Sequence, residues 1–136
     1  MKHFLKQTAY YADTDSYGVV WHGTYLRWME QARVELCREL GLNLVDLQNS
    51  DIALPVTNIN IRYKASAKIN ENVFVETWIS KISPLTITFT QEIKSEDRTK
   101  TYTTSTVEVV AVHNDGKLYR RLPDVLKIAC EKIIEV

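Results

Sequence analysis

Residues 11–26 run Tyr11-Ala12-Asp13-Thr14-Asp15-Ser16-Tyr17-Gly18-Val19-Val20-Trp21-His22-Gly23-Thr24-Tyr25-Leu26. Two aspartates stand just ahead of an aromatic-rich helix start, and Gly18 and Gly23 supply flexible points around Val19-Val20-Trp21-His22. No other stretch of the chain combines a carboxylate, an imidazole, glycines and a helix N-terminus. These groups suit acyl transfer. A carboxylate acts at a carbonyl carbon, while unpaired helix amides hold the oxygen.

Downstream, Tyr25, Trp28, Met29, Ala32, Leu36, Cys37 and Leu40 recur near the helical period and predict a helix over about 24–40. Gly41 fits the C′ position that ends it. Leu26 and Val34 fall off this stripe, so the helix is expected to be largely enclosed by other elements. A shorter helical or irregular piece then runs to Asp51. Upstream, Phe4 to Tyr10 reads as a short strand.

From Pro55 onward the period changes to two. Thr57, Ile59, Ile61 and Tyr63 alternate with Asn58, Asn60, Arg62 and Lys64, and Thr57 and Ile59 are expected to meet the long helix. Val73, Val75, Thr77 and Ile79 begin a second strand. After a Ser83-Pro84 turn, Leu85, Ile87, Phe89 and Ile93 mark a third. A polar turn at Glu96-Asp97-Arg98 precedes a long strand from Tyr102 to Val112. Asn114-Asp115-Gly116 is a strong turn signal, with Leu118-Tyr119-Arg120 pairing briefly beyond it. Pro123 opens a last helix carrying Leu126, Ile128, Ala129, Ile133 and Ile134. The expected fold is α+β, a curled antiparallel sheet of about five strands wrapped around one long central helix. Its edges and outer face are left to pair with a second copy.

Bulk properties narrow the function classes. The 136 residues fit a single domain over residues 1–136 with a real core. Net charge is zero, with 17 basic and 17 acidic residues, so nothing steers the chain toward nucleic acid. Cys37 and Cys130 both fall in apolar helical patterns and read as buried free thiols, not as a disulfide framework or a zinc site. The N-terminus meets Lys6 and Gln7 too early for a secretory segment, and no apolar run approaches a membrane span. A cytoplasmic enzyme or binding protein is expected.

The segment from Tyr10 to Arg33 resembles the signature of the 4-hydroxybenzoyl-CoA thioesterase family of hotdog-fold enzymes. The residues that carry the resemblance are Tyr11, Asp13, Thr14, Asp15, Gly18, Val19, Val20, Trp21, His22, Tyr25, Leu26, Trp28, Glu30, Ala32 and Arg33. Tyr17 to Gly23 is similar to the dihydroxynaphthoyl-CoA thioesterases of phylloquinone and menaquinone synthesis. The resemblance implies an acyl-CoA thioesterase that needs no cofactor, with Asp15 as the catalytic carboxylate and the His22 backbone N–H polarising the thioester carbonyl. It also implies a homodimer, or a tetramer built from dimers, with the active site at a subunit interface.

Each candidate also has a structural reading. An aspartate near its ordinary pKa of about 3.9 is ionised at neutral pH, so Asp15 is able either to attack the carbonyl or to deprotonate a water. It is equally able to form an Asx turn. Asp13 is better read as a buttress for the loop. Gly23 lets a ligand approach the backbone, while Tyr17, Trp21, Tyr25, Trp28 and Ile59 wall an acyl pocket or pack the helix. Arg62, Lys64 and Lys68 meet CoA phosphates or stay solvated. Glu30 and Arg33 pair with each other or fix the helix to the sheet. His3 and His113 form no recognisable metal set with His22. A dehydratase of this fold would carry its histidine and carboxylate differently. An acyl-carrier-protein thioesterase, a short- or medium-chain acyl-CoA thioesterase and a non-catalytic acyl-CoA-binding protein remain open.

Overall fold

The computed structural model describes residues 1–134. The elements in chain order are β1 (His3–Thr8), a 3-10 turn (Tyr11–Asp13), α1 (His22–Glu39), α2 (Leu44–Asn49), β2 (Val56–Tyr63), β3 (Asn72–Ile82), β4 (Thr86–Ser95), β5 (Thr101–Val110) and α3 (Asp124–Glu131). The strands form one antiparallel sheet in the order β1-β3-β4-β5-β2. Among the described residues no helix is long and apolar enough to cross a membrane.

The period-two pattern builds the core. Register aligns Ile79, Phe89 and Val107 across β3, β4 and β5, and aligns Val75 with Ile93 two same-face rows along. All of these are buried, on the face where the α1 stripe of Tyr25, Trp28, Met29, Ala32 and Leu36 also disappears from solvent. Each Val, Ile, Leu, Phe or Met among them stabilises by roughly 1.5–3 kcal/mol when fully buried. The row between them is polar: Thr77, Gln91 and Ser105 align across the three strands and are buried too.

The sheet corrects the expectation of a curled layer wrapped around the helix. It is an open sheet, with β1 paired only to β3 at one edge and β2 paired only to β5 at the other. α1 lies on one half of it, against β1, β3 and β4. The physical reason lies in α1 itself. Its buried residues form a single stripe, while Arg27, Glu30, Gln31 and Arg38 are exposed and Leu26 and Val34 are only half-buried. A helix with one apolar stripe packs on a face and gains nothing from being encircled. Accordingly β2 is exposed at every residue but Ile61, and Ile59 is 42% exposed instead of packed under the helix.

One boundary differs from the expected one. α1 begins at His22, so His22 and Gly23 belong to its first turn. Thr24, the expected start of the helix, donates its hydroxyl to the Asp13 carbonyl (3.0 Å). The end of α1 is as expected: Gly41 is left-handed at φ +78, which glycine adopts without steric cost. α2 is a true short helix, capped by Asn43 Oδ1, which accepts from the Val45 N–H (2.9 Å).

Candidate active site

The loop between β1 and α1 is held from both sides. Asp13 is buried, and its carboxylate accepts from the Tyr10 N–H (2.9 Å) and from Arg27 Nη2 (2.5 Å). Its carbonyl accepts from the Trp21 N–H (2.9 Å), so this one residue ties the loop entrance to the helix start. The Val20 N–H donates to the Ala67 carbonyl (2.8 Å), and Val19 bridges to Lys68, joining the loop to the β2–β3 connection. Asp13 is therefore the buttress the sequence suggests.

Asp15 sits differently. Its N–H donates to Val19 O (2.9 Å), and its carbonyl accepts from the Gly18 N–H (3.1 Å). The chain turns back at Gly18, whose φ of +80 is left-handed. Asp15 Oδ1 accepts from the Tyr17 N–H (2.8 Å), an Asx turn, while Oδ2 makes no hydrogen bond among the described residues. One carboxylate oxygen is thus fixed and the other is free, on a half-exposed side chain.

The helix start offers donors. Its N-cap is Trp21, extended at φ −64 and ψ 141, whose side chain makes no capping bond. The first amides of α1 therefore lack a side-chain acceptor and carry the positive end of the helix dipole. The Trp21 indole folds back over Gly23: a Cβ there would lie 2.2 Å from Trp21 Cζ3. The space above Gly23 that sequence reasoning left for a ligand is thus roofed by Trp21.

Aromatic rings gather at this end. Trp21 and His22 lie 5.0 Å apart between centroids, His22 meets Tyr63 edge-on at 6.3 Å, and Tyr63 lies 5.8 Å from Tyr25. The Tyr63 hydroxyl donates to the His22 carbonyl (3.0 Å). Tyr25 and Trp28 are buried, and the Tyr25 hydroxyl accepts from the Ala67 N–H (3.0 Å). Burial pushes the Tyr25 phenol above its ordinary pKa, with the Glu71 carboxylate adding to the effect. Behind it, Tyr102 donates to Glu71, and burial together with that bond raises the Tyr102 pKa.

Of the remaining expected site residues, Tyr17 and Trp21 are exposed at the loop and Ile59 lies on the same face of β2 as Tyr63. Arg62 and Lys64 are exposed, and alternation turns them to the opposite face. Arg33 does not pair with Glu30. It reaches the sheet, donating to Gln91 Oε1 (2.9 Å), while Gln91 Nε2 donates to the Met29 carbonyl and to Thr77 Oγ1 (both 2.9 Å). Burial lowers the Arg33 pKa, partly offset by the Glu30 charge. A cavity of about 100 Å³ opens beside it, lined by Glu30, Arg33, Val34, Cys37, Val56 and Phe89 among others. His3 lies by Glu39, and His113 is engaged with Asp51 (2.6 Å), each apart from the His22 cluster. Sequence reasoning assigned no role to Tyr63, Ala67 or Glu71. Only the period-two pattern hinted at Tyr63, by placing it on the face of Ile59 and Ile61.

Comparison with known proteins bears on this arrangement. A family model described as the thioesterase superfamily matches residues 17–102, beginning just after Asp15. The chain is 38% identical over 85 residues to the acyl-CoA thioesterase YbgC of Haemophilus influenzae, covering 62% of each protein. Alignments to the first sequence relatives span 50% to 69% of those proteins' own lengths. Among solved structures, the DHNA-CoA thioesterase of Staphylococcus aureus superposes with a TM-score of 0.87 at 33% identity, covering 96% of this chain and 89% of that one. Slr0204, a 1,4-dihydroxy-2-naphthoyl-CoA thioesterase from Synechocystis, superposes with a TM-score of 0.86 at 22% identity, covering 96% of both chains.

Proposed function

The chain belongs to the thioesterase superfamily of hotdog-fold thioester hydrolases, and from that premise we propose that it hydrolyses an acyl-CoA to a free acid and CoA at the start of α1. The observation that carries this reading is the pairing of Asp15, with one carboxylate oxygen free, with an uncapped helix N-terminus on the same loop. Asp15 acts at the thioester carbon, as base toward a water or as nucleophile through a mixed anhydride. Both routes pass through a tetrahedral oxyanion, and the His22 and Gly23 amides face that charge. The CoA thiolate leaves readily, so no strong general acid is needed.

The exposed rings of Trp21, His22 and Tyr63 favour a flat aromatic acyl group, such as 1,4-dihydroxy-2-naphthoyl, over a straight chain. The S. aureus and Synechocystis proteins, which act on that group by name, share the fold. The exposed charges of Arg62 and Lys64 support a role in meeting the nucleotide phosphates, and the unpaired edge of β2 supports pairing with a second copy of the chain. A panel of aromatic and straight-chain acyl-CoAs and an acyl-carrier-protein thioester, followed by thiol release, tests the reading. Aromatic acyl-CoAs should give the highest kcat/KM, and Asp15→Asn should cut turnover of the best of them by about a hundredfold or more with the fold intact. Equal rates across the panel would remove the aromatic assignment, and normal turnover by Asp15→Asn would remove Asp15.

A further inference from the structure

We propose that Tyr63 is a positioning residue for this reaction: its hydroxyl fixes the His22–Gly23 peptide so that the Gly23 N–H, beside that of His22, is aimed at the thioester oxygen. The inference rests on the reading of the α1 start as the element that holds that oxygen. Three observations carry it.

The first is the bond itself. Tyr63, at the end of β2, donates to the His22 carbonyl at 3.0 Å, across 41 residues of chain. In a planar trans peptide the C=O and the N–H point in opposite directions. Holding the His22 oxygen therefore holds the direction of the Gly23 N–H. A hydrogen bond to the carbonyl also draws electron density from the amide nitrogen and strengthens its N–H as a donor.

The second is the lack of a side-chain cap. The N-cap residue Trp21 makes no side-chain bond to the first turn. A helix end with free amides frays readily, and Tyr63 supplies from the sheet the restraint that a serine or aspartate cap supplies elsewhere. A conventional cap would consume the same amides that the reaction uses. Restraint through the carbonyl side leaves them free.

The third is the setting of the ring. Tyr63 is held edge-on against His22 and tilted against Tyr25, whose own hydroxyl is tied to the Ala67 amide. The phenol is thus ordered before any ligand arrives. Partial burial raises its pKa above the ordinary tyrosine value, so it remains a donor throughout the neutral range.

Tyr63→Phe keeps the ring and its contacts and deletes only the hydroxyl. It should lower kcat about tenfold while KM stays within about twofold, the pattern of an interaction that matters in the transition state. In protein carrying ¹³C-carbonyl histidine, the His22 resonance should move upfield with the substitution. 3-Fluorotyrosine at position 63 keeps the donor but is more acidic, so activity should be retained and its alkaline limb should move to lower pH. An unchanged kcat in Tyr63→Phe, a rise in KM alone, an unmoved His22 resonance or an unmoved alkaline limb each overturns the proposal. Asp15→Asn assayed alongside separates the two readings. If Asp15→Asn is inactive and Tyr63→Phe is fully active, only the role of Tyr63 falls. If Asp15→Asn turns over normally, the site itself has been misplaced.

Discussion

At Gly23 a side chain would have nowhere to go without moving Trp21. The nearest atoms to an added Cβ are Cζ3, Cη2 and Cε3 of the indole, all closer than 3 Å. Trp21 is half exposed and free to swing outward, and alanine is the better residue in a helical turn by about 1 kcal/mol. Gly23→Ala should therefore fold, with stability changed by less than about 1 kcal/mol. Its tryptophan emission should shift to the red, and turnover should drop about tenfold through the misplaced helix start. An unshifted emission would show that the indole does not lie over Gly23. Residue types alone brought Asp13, Asp15, Trp21 and His22 into one short segment. The difference between the two aspartates was less legible: it lies in their partners, four bonds for Asp13 side chain and carbonyl against one for the Asp15 carboxylate. The contact between Tyr63 and His22 was not legible at all, because it depends on where β2 ends relative to α1.

At the scale of the element, α1 depends on a polar bolt to the sheet. Gln91 receives the Arg33 guanidinium and gives its own amide to the Met29 carbonyl and to Thr77. Gln91→Leu removes three hydrogen bonds and leaves a largely buried guanidinium without its partner. It should cost about 2–4 kcal/mol in urea unfolding. A loss under about 0.5 kcal/mol would show that the network adds little. The alternation that marks β4 in the sequence placed Gln91 on the inner face, yet nothing in the pattern announces that it spans to the helix. The same alternation found β2 to β5 within a residue or two, since period two survives whether or not a strand is covered. It did not tell a covered strand from a bare one. The inner-facing residues of β2 are as apolar as those of β4, but the body of α1 packs mainly on β1, β3 and β4 and meets β2 at its end, through Tyr63.

At the scale of the whole molecule, the open sheet leaves β2 with an unpaired edge and an apolar inner face, exposing Val56, Ile59 and Tyr63. Such an edge invites pairing with another chain. The proposed self-association predicts that Ile59→Lys, which sets a charge on that face, shifts the protein toward monomer in sedimentation and lowers activity in proportion. A fully active monomer would separate the site from assembly. The long helix and a five-stranded sheet could both be read from the chain, but not that the helix buries a single stripe. How far the sheet bends over the helix could not, because curvature is set by twist and packing partners and not by the period of side chains.

Cys37 and Cys130 are both buried, and burial pushes their thiols up to about 11 and about 12. Only the thiolate exchanges with disulfides or captures oxidants. The proposed reaction sets free a sulfhydryl compound at every cycle, and a disulfide formed from it would exchange with any thiolate it met. Keeping both of its own sulfurs protonated spares the catalyst from being capped by what it makes.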